Sequence, residues 1–351
     1  METRDQNPSI EQPEARPPEV TENQVQAVIE GKVQKSPTPF QQSLRRLMRD
    51  RRALVSMCVI AFLVLISLIG PPIYQHIGGT IETADAQKIG PTQYHSHSFQ
   101  NLDHLDEGPN GLNWLGTDRV GRDMLARLMQ GILVSIVVAV LVEIIDILLG
   151  VVIGVLAGYY GGWVDTLLAR FTDLMFAFPG LLFVILLTGI FGPQVDVMFA
   201  NTPLLSGGNA RLLLVVLALS ITSWPLMARY VRGQTMQLKQ QQFIEAAKAA
   251  GTTDLKIITK HIVPNLFSIV IIAATLNISN TIINEAGISL LGLGVQDPGS
   301  SIGLMISAAQ TLLAIHPWEA LLPTGMLAVI VLAFSFLGDG LRDAFDPRSK
   351  D

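Results

Sequence analysis

Five polar residues interrupt an otherwise apolar stretch near the carboxyl-terminal third of the chain. Asn277, Asn280, Thr281 and Asn284 recur at i, i+3, i+4 and i+7, with Glu285 adjacent, so a helix would carry them as one polar stripe. Such a face can wet the path of a polar solute or hydrogen-bond a neighbouring helix, and the pattern is compatible with both. The stripe ends at Ile288. Glu143 and Asp146, three residues apart in a second apolar stretch, also share a helical face. Carboxyls so placed are expected to satisfy structural partners or edge a cavity. His76, His95, His97 and His104 lie in one hydrophilic segment with Asp103. Their spacing lacks the regularity of a metal motif, so they are expected to be solvated loop residues and no metal site is assigned. No Gly-x-x-x-x-Gly-Lys-Ser/Thr or His-Glu-x-x-His pattern occurs, so no nucleotide cradle of that type is expected, and no catalytic residue is assigned.

Composition indicates what must position these groups. The 351 residues are 49% hydrophobic and only 15% charged, with a mean hydropathy of +0.43; soluble domains carry about 25% charge. The deficit points to lipid as a partner, and no nucleic-acid partner is expected. The single cysteine, Cys58, excludes an intramolecular disulfide and sits in an apolar run, where an inert thiol is expected. The first apolar stretch comes too late and is too long for the core of a cleavable signal peptide.

Along the chain, residues 1–43 hold six prolines among Glu, Gln, Lys and Arg and are expected to form a disordered cytoplasmic tail. Residues 44–74 combine a basic cluster (Arg45, Arg46, Arg49, Arg51, Arg52) with a first membrane span over Ala53–Gly70. Residues 75–130 are read as an extracytoplasmic loop. Five further spans are expected within 131–349, at roughly 131–157, 170–192, 211–231, 264–287 and 319–338, with a short external helix near 302–314. Pro179 and Pro225 are expected to kink or end their helices.

Basic residues orient the set. The arginines before the first span place the amino terminus in the cytoplasm, and the carboxyl terminus and segment 232–262 then fall on the same side. That segment carries Arg232, Lys239, Lys248, Lys256 and Lys260 against Glu245 and Asp254. Arg119, Arg122 and Arg127 run against the rule, with Asp118 and Asp123 among them.

Residues 240–264 form the most informative loop. Strong helix formers fill 240–250, and Gly251 stands where a helix can end in a left-handed residue. Thr252, Thr253 and Asp254 can cap a second short helix with Leu255, Ile258 and Ile262 as its apolar face. Pro264 suits the first turn of the next span. An ordinary amphipathic connector fits these residues; so does a helix–turn–helix whose small Ala246 and Ala247 admit a partner's groove.

Glu245-Ala-Ala-Lys-Ala-Ala-Gly251 followed by His261-Ile-Val-Pro264 resembles the coupling loop of ATP-binding-cassette importer permeases. Leu115-Gly-Thr-Asp118, Gly121-Arg-Asp123, Gly158-Tyr-Tyr-Gly-Gly-Trp-Val-Asp165, Ala177-Phe-Pro179, Val231-Arg-Gly-Gln234, Leu290-Leu-Gly-Leu-Gly294 and Gly338-Asp-Gly-Leu-Arg-Asp-Ala-Phe-Asp-Pro347 are similar to the C-type permeases of dipeptide, oligopeptide and nickel importers. The likeness runs in order from about residue 44 to 349. His261 stands where many permeases carry an aliphatic residue, though the peptide branch commonly has histidine there. The loops 75–112 and 193–210 look longer than the family core, and Ser300-Ser-Ile-Gly303 replaces a more usual Ser-Trp-Gly.

The resemblance implies an all-α membrane protein with six transmembrane helices in the type I importer permease fold and a cytoplasmic coupling helix. It implies a multi-pass protein of a bacterial or archaeal plasma (inner) membrane, with both termini cytoplasmic. It further implies a heterodimer with a related B-type permease, two ATPase subunits that bind ATP and Mg, and an extracytoplasmic substrate-binding protein. Peptides are the expected cargo, with nickel or another small solute as the alternative. Glu245, Ala246, Ala247, Gly251, Asp254 and Pro264 would couple to the ATPase; Asn277, Asn280, Thr281, Asn284 and Glu285 would line the translocation path. A secondary transporter is disfavoured because no paired interrupted helices recur in matching halves. A membrane scaffold without transport is disfavoured by the Asn-lined stripe.

Overall fold

The computed structural model describes residues 39–84, 86–202 and 208–345. The expectation for the amino-terminal tail, the centre of the 193–210 loop and the residues after Phe345 lies outside them. The chain divides into two units, Met1–Gln42 and Ser43–Asp351, and every apolar helix of membrane-crossing length belongs to the second.

Six helices are long and apolar enough to cross a membrane: Arg51–Tyr74 (α2), Met124–Tyr160 (α4), Gly180–Met198 (α6), Arg211–Lys239 (α7), Asp254–Leu290 and Pro317–Phe345 (α12). A short helix, α1, precedes them and ends at Leu47. The segment between α2 and α4 holds a two-residue hairpin, Ile81–Glu82 (β1) with Lys88–Ile89 (β2), and one helical turn at Pro91–Tyr94 (α3). Gly162–Ala177 (α5) lies between α4 and α6. Gln242–Ala249 (α8) and Asp254–Ile257 (α9) follow α7. A π-helical turn, Ile258–Ile262, joins α9 to Val263–Leu290 (α10) without a break. Ile302–Ala309 (α11), continued by a 3₁₀ turn at Gln310–Leu312, falls where a short helix is expected near 302–314.

One expected span changes. The span read at 170–192 is divided: α5 stops at Ala177, Phe178 and Pro179 are extended, and a new helix starts at Gly180. Pro179 accounts for this, because its ring disfavours helical backbone at the residue before it. Pro225, by contrast, sits inside a helix that continues to Lys239.

α4 and α7 are the most intimately packed pair, and small residues permit it. A Cβ at Gly154 would stand 2.6 Å from the Ala228 carbonyl, and one at Gly158 would stand 2.8 Å from the Arg232 carbonyl. Around this pair, Val155 and Tyr159 of α4, Met227 and Val231 of α7, and Leu266 and Val270 of α10 form one buried cluster. A second cluster joins α2, α4, α10, α11 and α12 through Leu63, Ile132, Ile282, Ile302 and Ile330.

Candidate functional site

The segment between α7 and α10 projects beyond the spans but is tied into their core. Ile244 is the one buried residue of α8, and Ile257, Ile258 and Ile262 are buried behind it; all four join the cluster of α4, α7 and α10. Leu255, expected on that apolar face, is instead 71% exposed, because the π turn rotates the register so that Ile257 takes its place. Glu245 in the first turn of α8 and the adjacent Ala246 are exposed, and Ala247 is half-buried.

Gly251 ends α8 with φ +75°. Its amide donates to the Lys248 carbonyl at 2.9 Å and the Thr252 amide donates to the Ala247 carbonyl at 3.0 Å, the paired bonds of a Schellman motif. Thr253 occupies the next N-cap without a side-chain capping bond. Asp254 accepts a hydrogen bond of 2.6 Å from the Tyr159 hydroxyl, whose ring lies below the ammonium groups of Lys239 and Lys248. Pro264 is exposed in the first turn of α10. At the same end of α7, Arg232 grips Asp165 of α5, with Nη2 donating at 2.7 Å, and these bonds hold the Asp165 carboxyl below the usual carboxylate range.

The polar stripe of α10 divides between two environments. Asn277 donates from Nδ2 to Glu143 Oε2 at 2.8 Å and Asp146 Oδ2 at 3.3 Å. Both carboxyls are buried, and their other oxygens have no hydrogen-bond partner among the described residues. Asn280 and Asn284 are exposed. Thr281 is buried and bonds back to the Asn277 carbonyl at 3.1 Å. Glu285, expected with the stripe, is fully buried: it accepts from Ser135 Oγ at 2.7 Å and from Ser289 Oγ at 2.7 Å. One residue beyond Asn284 turns a side chain about 100° around a helix, and that rotation moves Glu285 from the exposed face into the contact with α4.

A cavity of about 810 Å³ opens between α7, α10 and the end of α12. Asn277, Asn280 and Ser223 line it together with Arg229, Tyr230 and Arg342. Pro264 and Asn277 are separated by about 20 Å of helix, so the projecting segment and this cavity are distinct places on one rigid element.

At the opposite end, Asp123 gathers the segment before α4. It accepts from the Tyr74 hydroxyl at 2.8 Å and from Asn113 Nδ2 at 2.7 Å, His95 Nδ1 lies 3.1 Å away, and its other oxygen caps α4 through the Ala126 amide. His95 is therefore buried, contrary to the expectation of a solvated residue. His104 contacts Glu107 and His76 contacts the Pro72 carbonyl. Among the described residues no three His, Cys, Asp or Glu side chains are placed to share a metal ion. Arg122 bonds Asp118 at 2.8 Å and also pairs with Asp297, and Arg127 approaches the same two carboxylates. Pairing thus accounts for two of the three arginines that run against the charge rule.

A family profile described as binding-protein-dependent transport system inner membrane component matches residues 150–351. The chain belongs to this family. A profile for the N-terminal TM domain of oligopeptide transport permease C matches residues 38–89. The glutathione transport system permease protein GsiD of Escherichia coli O6:K15:H31 is 35% identical over 313 residues, covering 89% of this chain and 92% of the relative. GsiD of Shigella dysenteriae serotype 1 is 34% identical over the same length. An inward-facing crystal form of the MetNI methionine ABC transporter superposes with a TM-score of 0.49 at 19% identity, over 63% of this chain and 97% of that one. An amino acid ABC transporter with histidines gives 0.44 at 16% identity, over 60% of this chain and 91% of that one.

By family and by its 35% identical permease relative, the chain is an importer permease subunit, a multi-pass inner-membrane protein and not itself an enzyme. Four residues of these sites, Tyr159, Ser135, Ser223 and Arg342, carry little signal of their own in the sequence. Tyr159 is visible there only as a member of a family motif, and Ser135 is a lone hydroxyl in an apolar run.

Proposed function

We propose that this permease moves short peptides into the cytoplasm as one half of a heterodimer with a related B-type permease. Two separate ATPase subunits bind ATP and Mg and dock on residues 240–264, and an extracytoplasmic binding protein delivers the cargo. Both chain termini then lie on the cytoplasmic side, with the basic residues of segment 232–262. The observation that carries the reading is the seating of α8: Ile244 is locked into the core shared by α4, α7 and α10 while Glu245 and Ala246 face outward. A partner pressing on that outer face moves three spans at once. Such a contact drives transport only if its energy differs between the inward-open and outward-open states. The peptide assignment is supported by the 35% likeness to a permease whose name gives glutathione, a tripeptide, as its cargo.

The test is uptake of radiolabelled glutathione into proteoliposomes holding the complete transporter. Uptake that requires ATP and persists after ion gradients are collapsed supports the reading. Uptake driven by a gradient without ATP would make the protein a secondary transporter, and nickel uptake without peptide uptake would replace the cargo.

A further inference from the structure

The cavity beside α10 has chemically opposite ends. At one end stands Asn277, whose side-chain Nδ2 donates to Glu143 Oε2 and Asp146 Oδ2. The Asn277 carbonyl oxygen is therefore the acceptor left for whatever enters, with Asn280 and Ser223 alongside. Two buried carboxyls stand directly behind it. At the other end are guanidinium groups. Arg229 is already paired with Asp173 at 2.7 Å and stacked on Phe176, whereas Arg342 lines the cavity with no ion-pair partner among the described residues. Leu226, Ile269 and Ile272 supply an apolar wall between them.

We propose that this cavity is a transient peptide site that reads both ends of its cargo, Asn277 taking the ammonium group and Arg342 the carboxylate. The inference rests on the peptide reading above and adds the class of ligand: a zwitterionic peptide of about three residues. The α10 wall of the cavity runs from Ile269 to Asn280, about 16 Å of helix, long enough for an extended tripeptide of at most about 11 Å. The volume of about 810 Å³ falls within the roughly 300–1,000 Å³ typical of pockets for small ligands. An ammonium group gains a charge-assisted hydrogen bond from the Asn277 side-chain carbonyl. An acetylated terminus can offer that oxygen only a neutral N–H, about half as strong a donor, and a guanidinium prefers a carboxylate to an amide.

The experiment is equilibrium dialysis of the assembled transporter, without its binding protein, against radiolabelled trialanine, N-acetyl-trialanine and trialanine amide. The wild-type complex should bind trialanine roughly tenfold more tightly than either capped peptide, the scale of a charge-assisted hydrogen bond. Arg342→Gln should lose that factor for trialanine and leave the amide unchanged; Asn277→Leu should do the same with the acetylated peptide. Should Asn277→Leu fail to reach the membrane, Asn277→Gln replaces it, keeping a donor for the acid pair while displacing the carbonyl by one methylene. Equal weakening of free and capped peptides by either variant, or no saturable trialanine binding, overturns the proposal. Trialanine uptake by the complete transporter separates the two levels. Uptake without end-selective binding removes the two-ended site alone; no peptide uptake removes both readings.

Discussion

The Tyr159 hydroxyl donates a 2.6 Å hydrogen bond to Asp254, joining the end of α4 to the start of α9, just beyond the turn at Gly251. Tyr159 is itself buried in the cluster that contains Ile244, Val231 and Leu266. The bond is thus a polar strut between the projecting segment and the most tightly packed helix pair in the protein. Tyr159→Phe and Asp254→Ala are each expected to lower ATP-driven uptake several-fold, and the double variant should be no worse than the more severe single one. A coupling energy of about 1.5–3 kcal/mol is the scale expected of a hydrogen bond to a charged group. Fully additive losses in proteoliposome uptake would show that the two residues act separately.

Gly251 tests the turn itself. No atom lies within 4 Å of where its Cβ would stand, so a substitution there acts through the backbone alone. A β-branched residue at φ +75° costs roughly 1–3 kcal/mol of strain, enough to unwind the Schellman turn and displace α8. Gly251→Val should abolish uptake while the protein still inserts normally, and Gly251→Asn, which tolerates left-handed backbone, should retain most of it. Normal uptake by the valine variant would remove the coupling assignment.

Glu285 distinguishes a structural hub from a residue of the path. Its two oxygens accept from Ser135 and Ser289, and replacing it with leucine leaves two buried hydroxyls without acceptors, at about 1–3 kcal/mol each. Glu285→Leu should therefore lower the melting temperature and the amount of protein in the membrane, with uptake per folded molecule preserved. Adding Ser135→Ala and Ser289→Ala should restore much of the stability, because removing both partners of a buried bond costs less than removing one. A stable variant that fails to transport would return Glu285 to the path.

These sites differ in how far the sequence exposes them. The spans are legible because long apolar runs have few alternatives in a membrane, and Gly251 is legible because a helix end asks for left-handed backbone. The π turn at Ile258–Ile262 is not, since one extra residue per turn leaves no compositional trace, and it exchanges Leu255 for Ile257 on the buried face. Periodicity places Asn277, Asn280, Thr281 and Asn284 on one side of a helix but cannot show that Glu143 and Asp146 lie opposite Asn277, a contact spanning more than 130 residues. The burial of His95 escapes the sequence for the same reason. Its partner, Asp123, comes from the cap of a different helix.

The segment before α4 carries its own pH dependence through His97. Burial, reinforced by Arg127 and then Arg122, lowers its pKa from the ordinary 6.5. The unfolded chain therefore binds a proton more readily than the folded one as pH falls below about 6.5. Stability from this group is complete above that pH and is lost as pH falls towards the folded value. The melting temperature of the purified protein should drop between pH 7.5 and 5.5, and His97→Asn, which removes the titrating ring, should show a smaller drop. The loss is bounded by about 1.4 kcal/mol per unit of pH for one proton. The opposite outcome, a variant as acid-sensitive as the wild type, would move the titration to another group.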